Sequence, residues 1–228
     1  MNIFIVRHAE SDNNIHGKFC TYTNGDLTPA GELQAKYCGM ELAHIDFKRV
    51  YASRLIRAIR TAQIITDTNQ VLEFEELGEM NGGDYEARTW DDIDLVYPAF
   101  HIRMVDSLST MALPQGESYE DVKNRLSKFI NQELMNSDLE PGDNVLIVSH
   151  GITLRILINM LLERKDAEVN TLYWADNTAI THIQLGETRT LHKLFSNEHL
   201  IKNGMDRADY EKWAGKEYVA PKGDKNYE

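Results

Sequence analysis

The run Ile3-Phe4-Ile5-Val6, followed at once by Arg7-His8, constrains this chain more than any other feature. Four apolar residues in a row, with β-branched Ile3, Ile5 and Val6 among them, read as a short buried strand. Glu10, Ser11, Asp12 and Asn13-Asn14 then signal a loop. In open α/β sheets ligands bind beyond the strand ends, so the Arg-His pair stands where chemistry usually sits. A neutral imidazole can attack phosphorus, and a guanidinium can hold phosphate oxygens in a planar fork. Taken alone, the pair reads more readily as surface charge at a strand end. The rest of the chain reverses that.

A second run, Asn144-Val145-Leu146-Ile147-Val148, is the clearest buried strand and closes on Ser149-His150-Gly151. An apolar helix follows over residues 152–162. Between these two strands the spacing predicts a loop over 11–26, then a helix capped by Thr28 with Pro29 at its first position. Leu33, Tyr37, Met40 and Ala43 form the expected apolar stripe of that helix. Residues 49–53 predict a strand delivering Ser53-Arg54 into a helix over 55–66. Residues 72–77 predict a third strand, and residues 79–86 a glycine-bearing loop. Residues 90–111 read as irregular helix broken at Pro98. Residues 114–118 form a turn into a helix reaching about Met135. Residues 179–185 and 190–195 predict a hairpin around Gly186-Glu187 near a sheet edge. From Ser196 the chain is polar, with Tyr210, Trp213 and Tyr218 as candidate anchors. Strands alternating with helices imply an α/β layer fold with a mostly parallel central sheet.

A chain of 228 residues suits one domain. The formal net charge of -12 argues against nucleic acid or an anionic membrane as the main partner. No apolar run is long enough to span a bilayer, and no signal peptide is expected. Cys20 and Cys38 are the only cysteines. Reduced thiols in a cytoplasmic protein are the simplest expectation. Against this acidic background Arg54, Arg57 and Arg60 form a local basic cluster, as a small anionic substrate would need. No His-x-x-x-His, Cys-x-x-Cys or other spaced ligand set is present, so no metal and no cofactor are expected.

Four strand ends therefore carry Arg7-His8, Ser53-Arg54 leading to Arg57, Glu79, and Ser149-His150. Two histidines, two or three arginines and a carboxylate compose a phosphoryl-transfer site. At these residues the chain resembles the histidine phosphatase superfamily, the phosphoglycerate mutase-like fold. The opening signature is matched by Arg7, His8, Ala9, Glu10, Ser11 and Asn14. The next element is matched by Gly17-Lys18-Phe19 and Leu27-Thr28-Pro29-Ala30-Gly31. Ser53, Arg57, Ala58, Thr61 and Ala62 match a further block, and Glu79, Gly83, Tyr85 and Glu86 the acidic loop. The turn at residues 114–118, the Val148-Ser149-His150-Gly151 block and Asn177 complete the order. Ala87 stands in place of a common glycine, and Gly82 in place of an aromatic or apolar residue.

The resemblance implies a three-layer α/β/α sandwich. It implies one histidine phosphatase domain over 1–228, with its core at about 1–195 and a polar extension over 196–228. It implies His8 as a nucleophile forming a phosphohistidine. Arg7, Arg57 and His150 would hold the phosphoryl oxygens, and Glu79 would donate the proton to the leaving group. Asn14, Ser53 and Asn177 would add hydrogen bonds, with Asn14 and Asn177 among the phosphate ligands. Glu10 would orient Arg7 or the loop, and Arg54 and Arg60 would be surface charges.

Mutases of the family that use a bisphosphoglycerate cofactor carry a long insertion after the acid loop. Only a moderate segment separates Glu79 from Pro114 here, which resembles the phosphatase branch. The expected function is hydrolysis of a small phosphomonoester. A cofactor-dependent phosphoglycerate mutase and a non-catalytic phosphate-binding or interaction module remain the alternatives. Residues 88–113 are the expected substrate lid, with Tyr97, Phe100, His101 and Arg103 as candidate contacts, and residues 19–23 a second substrate-facing loop. The sequence leaves the oligomeric state open.

Overall fold

The protein is described by a computed structural model over residues 1–205. Tyr210, Trp213 and Tyr218 lie outside the described residues, as does the His101 side chain. Six strands form one sheet in the order β3-β2-β4-β1-β5-β6. They are β1 (Asn2–Arg7), β2 (Phe47–Ser53), β3 (Leu72–Phe74), β4 (Asn144–Ser149), β5 (Ile180–Leu185) and β6 (Arg189–Ser196). β3, β2, β4 and β1 run parallel, and β5 and β6 turn antiparallel at the edge, as the hairpin reading expects.

β1 is covered on both faces, which is why its sequence is continuously apolar. Ile3 and Ile5 pack with Ile147, Leu126, Phe129 and Ile152 on one side, where α6 (Tyr119–Phe129) and α7 (Gly151–Leu161) lie. Phe4 and Val6 pack with Cys38, Leu42, Ala58 and Ala62 on the other, against α2 (Pro29–Leu42) and α3 (Ile56–Thr66). Each such side chain contributes about 1.5–3 kcal/mol by leaving water. The two faces make the expected three layers.

Three local expectations need correction. α2 does not bury its large apolar residues: Leu33 and Met40 are 45% and 69% exposed. Its inner face is Gly31, Gln34, Ala35, Cys38 and Leu42 instead. The reason is close backbone approach. A Cβ on Gly31 would lie 2.0 Å from the Glu10 carbonyl oxygen, and one on Gly39 would lie 2.8 Å from that of Ile65. β3 ends at Phe74, because the chain then winds into a 3₁₀ turn (Glu75–Leu77) that drops Leu77 into the core. The loop after β1 contains a short helix, α1 (Asp12–Ile15), with Ser11 and Asn14 in a reciprocal cap.

Residues 90–111 form α4 (Trp90–Val96) and α5 (Phe100–Asp106), parted at Pro98, and a 3₁₀ turn (Leu108–Thr110). Phe100 is fully buried at the centre of a cluster with Phe19, Trp90, Tyr85 and Tyr97. It packs this segment down and is not available as a substrate contact. The helix α6 continues as a π-helical stretch (Ile130–Met135), and a short C-terminal helix α8 (Glu198–Lys202) buries His199 and Leu200. No helix among the described residues is long and apolar enough to cross a membrane. Both cysteine thiols are free.

Candidate active site

β1 and β4 pair in parallel with Arg7 opposite Ser149, so the next residue on each strand, His8 and His150, leaves the sheet at the same edge. The His8 N–H donates to the Ser149 carbonyl at 2.9 Å and holds the two ends together. The imidazole centroids are 5.0 Å apart. The His8 Nδ1 lies 2.7 Å from the Ala9 carbonyl oxygen. A carbonyl only accepts, so Nδ1 carries the proton and Nε2 keeps its lone pair.

Burial, then Arg57, then Arg7 push the His8 ring well below its ordinary pKa. The His150 ring is pushed down by burial first and Arg57 second. Both are neutral at pH 7 in the free site, so His150 offers one N–H rather than a charge. Neither ring nitrogen of His150 has a hydrogen-bond partner among the described residues, nor does Arg7 Nε, although all three are buried. Leaving such groups unpaired costs about 1–3 kcal/mol each.

Two linked titrations follow from those depressed histidines. In the unfolded chain each would bind a proton near pH 6.5, while in the folded chain it stays neutral to much lower pH. Their stabilising contribution is complete above about pH 6.5 and is lost as pH falls below it, at roughly 1.4 kcal/mol per pH unit for each histidine. Urea unfolding at pH 7.5 and 5.5 should show the lower stability at 5.5. Burial also depresses His182 and His199, each to about 4, so a His8→Ala, His150→Ala double variant should lose about half of that slope. An unchanged slope in the double variant would contradict the neutral pair.

Two arginines converge here by different anchors. Arg7 Nη1 donates to the Ala175 carbonyl at 2.6 Å, with its guanidinium 5.6 Å from the Trp174 ring centroid. Arg57, on the first turn of α3, donates from Nη1 to the Thr23 carbonyl and from Nη2 to the Thr21 carbonyl, at 3.0 and 2.7 Å. Burial pulls Arg57 down to about 10, still cationic at neutral pH. Arg54 and Arg60 point away, pairing with Glu75, and with Asp26 and Glu32. Both are surface charges, as expected.

Glu79 is buried against the N-terminus of α7. Its Oε1 accepts from the Met80 and Thr153 N–H groups at 2.9 and 3.1 Å, and Oε2 from the Ile152 N–H at 3.2 Å. From the 3₁₀ turn to Glu79, side chains hold four successive carbonyls. Arg125 takes Glu76 and Glu79, Ser149 takes Leu77, and Thr153 takes Gly78. Arg125 also binds Glu117, whose carboxylate receives the Asn81 N–H.

Asn177 donates to the His8 carbonyl at 2.7 Å and so props the His8 backbone. Asn14 turns its Oδ1 to Ser11 at the cap of α1. Ser53 Oγ accepts from the Leu55 N–H at the start of α3. Glu10 accepts from the Thr28 hydroxyl at 2.6 Å, fixing the loop and not Arg7. Sequence reasoning missed Trp174, the backbone carbonyls that aim the arginines, and the Arg125–Glu117 pair. Only Glu117 had a signal, its place in the residue 114–118 turn. Gly82 and Ala87, the two departures from the family pattern, flank the acid loop's end. Ala87 occupies the left-handed region at φ 62°, at a cost of roughly 1–2 kcal/mol.

Comparison with known proteins adds the following. The family model of the histidine phosphatase superfamily (branch 1) matches residues 3–198. A 2,3-bisphosphoglycerate-dependent phosphoglycerate mutase of Cytophaga hutchinsonii is 35% identical over 170 residues, 73% of this chain and 79% of that protein. A putative phosphoserine phosphatase 2 of Hydrogenobacter thermophilus is 30% identical over 192 residues, 83% and 92% of the two chains. A mycobacterial glucosyl-3-phosphoglycerate phosphatase, solved in complex with VO3, superposes with a TM-score of 0.78 at 25% identity, over 86% of this chain and 99% of that one.

Proposed function

This chain belongs to the histidine phosphatase superfamily, and from that premise we propose that it hydrolyses small phosphomonoesters through a phosphohistidine on His8. One observation carries the reading. Buried, unpartnered nitrogens of Arg7 and His150 surround an imidazole whose Nε2 is held as the lone-pair nitrogen. A phosphoryl group supplies the acceptors those donors lack.

In the first step the His8 Nε2 bonds to phosphorus as the ester P–O bond breaks. Glu79 gives its proton to the departing oxygen, because an alkoxide is a poor leaving group. The Ala9 carbonyl, accepting from Nδ1, stabilises the positive charge that grows on the ring. Arg7, Arg57 and His150 bind the equatorial oxygens where charge spreads. In the second step water attacks phosphorus, Glu79 takes its proton, and the N–P bond breaks to release phosphate. Glu79 ends protonated and His8 neutral, as both began. Oε1 accepts from the Met80 N–H, the Thr153 N–H and the Thr153 hydroxyl, whereas Oε2 accepts from the Ile152 N–H, so Oε2 is the oxygen with room to carry the transferring proton.

The moderate segment between Glu79 and Pro114, folded down by Phe100, supports a phosphatase rather than a mutase. The mutase among the relatives keeps the second reading in play: transfer to a bound hydroxy acid after priming by a bisphosphoglycerate. The two free thiols fit a cytoplasmic setting. The test is hydrolysis of 4-nitrophenyl phosphate by the native chain in the presence of a chelator, with acid-labile phosphoryl label trapped on the protein. Turnover with a trapped label supports the hydrolase. Turnover that appears only with a bisphosphoglycerate primer, as phosphoryl transfer between hydroxyls, supports the mutase. Neither activity nor label would defeat both.

A further inference from the structure

We infer that Glu86 is the positioning residue for Arg57, acting through the loop at residues 21–23. The inference rests on the reading of Arg57 as a phosphoryl-binding group. The N–H groups of Thr21, Tyr22 and Thr23 all converge on the Glu86 carboxylate, at 3.0, 3.1 and 2.8 Å. The hydroxyls of Thr21 and Thr23 join them at 2.6 and 2.7 Å. Successive amides aimed at one carboxylate form an anion-holding concavity. The carbonyls of the same loop, at Thr21 and Thr23, are the two that accept from Arg57. The loop therefore shows its N–H side to an anion and its C=O side to a cation. Fixing one side fixes the other.

Burial alone would raise the Glu86 carboxyl, but hydrogen bonds from Thr21 and Thr23 outweigh it and hold the group below its ordinary value, so it is anionic at neutral pH. The junction is closely fitted. The Gly82 N–H donates to the Thr21 hydroxyl at 2.9 Å, and a Cβ there would lie 2.8 Å from the Phe19 ring and 3.0 Å from Glu86 Oε2. That contact explains why glycine replaces a larger residue at this position. Tyr22 and Thr23 are exposed, and the carboxylate anchors this rim segment on its N–H side while Asn13 donates to the Thr23 carbonyl on the other. Arg57 spends one N–H of each Nη on the loop, which sets the plane in which its remaining N–H groups meet phosphoryl oxygens.

The test is a double-mutant cycle of Glu86→Gln and Arg57→Ala, read as kcat/KM on 4-nitrophenyl phosphate and as orthovanadate affinity. Glu86→Gln should lower both about tenfold or more in the native background, and less than about twofold when Arg57 is already alanine. Equal losses in both backgrounds would overturn the inference, since Glu86 would then act on the fold and not through Arg57. So would an unaffected Glu86→Gln beside an impaired Arg57→Ala. Full activity in Arg57→Ala would instead remove the phosphoryl-binding role of Arg57, and the inference with it. If Glu86→Gln does not fold, Thr23→Val removes one exposed donor. It should cost about threefold, again only where Arg57 is present, and a loss independent of Arg57 overturns the inference.

Discussion

His8→Ala should abolish phosphoryl transfer, with kcat/KM on an aryl phosphate falling by about 10⁴-fold or more. The alanine leaves no atom at the position of Nε2 that can bond to phosphorus. His150 cannot substitute, because it lacks the partner that fixes one tautomer and faces the pocket from the neighbouring strand end. The phosphate clamp survives the change: Arg7 stays on the Ala175 carbonyl and Arg57 on the residue 21–23 loop. Orthovanadate should therefore still bind, weakened by about tenfold at most. Kinetics and vanadate titration on the same preparation check both halves. Retained turnover in the variant would sink the phosphohistidine mechanism, whereas loss of turnover and vanadate binding together would point to a collapsed pocket.

Glu79→Gln should cost about 10²- to 10⁴-fold on an alkyl phosphate and far less on 4-nitrophenyl phosphate. The amide is the same shape but has no proton to give. An alkoxide needs that proton as the P–O bond breaks, while a nitrophenolate leaves without it. The fold tolerates the swap. The amide oxygen can take the Oε1 position, accepting from Met80 and Thr153, and only the long contact from the Ile152 N–H is lost. Plotting rate against leaving-group acidity for native and variant protein checks this. Parallel slopes would mean that Glu79 is not the acid.

The strand ends were legible because the physics there is local. β1 and β4 lie between two layers, so their sequences are unbroken apolar runs, and the residue after each run must leave the sheet at one edge. α2 was misread for the opposite reason. Periodicity looks for large apolar residues, but this helix packs by nearness, through Gly31, Ala35, Cys38 and Gly39. The aim of the arginines was equally hidden. It depends on carbonyls of Ala175, Thr21 and Thr23, and any residue type supplies a carbonyl. Phe100 illustrates a third limit. An aromatic side chain in a lid has the same sequence signature whether it meets substrate or, as here, five-ring packing.

The pairing of β1 with β4 joins segments 142 residues apart in the chain, setting Arg7 beside Ser149. Side chains alternate along a strand, so a slip of one residue would turn Ile3 and Ile5 to the wrong layer and part His8 from His150 in the same movement. A mispaired sheet that still performs the reaction is therefore ruled out by geometry. Turnover would double as a proofreading signal for strand alignment, and mid-strand substitutions that shift the register would cost it even though they touch no substrate.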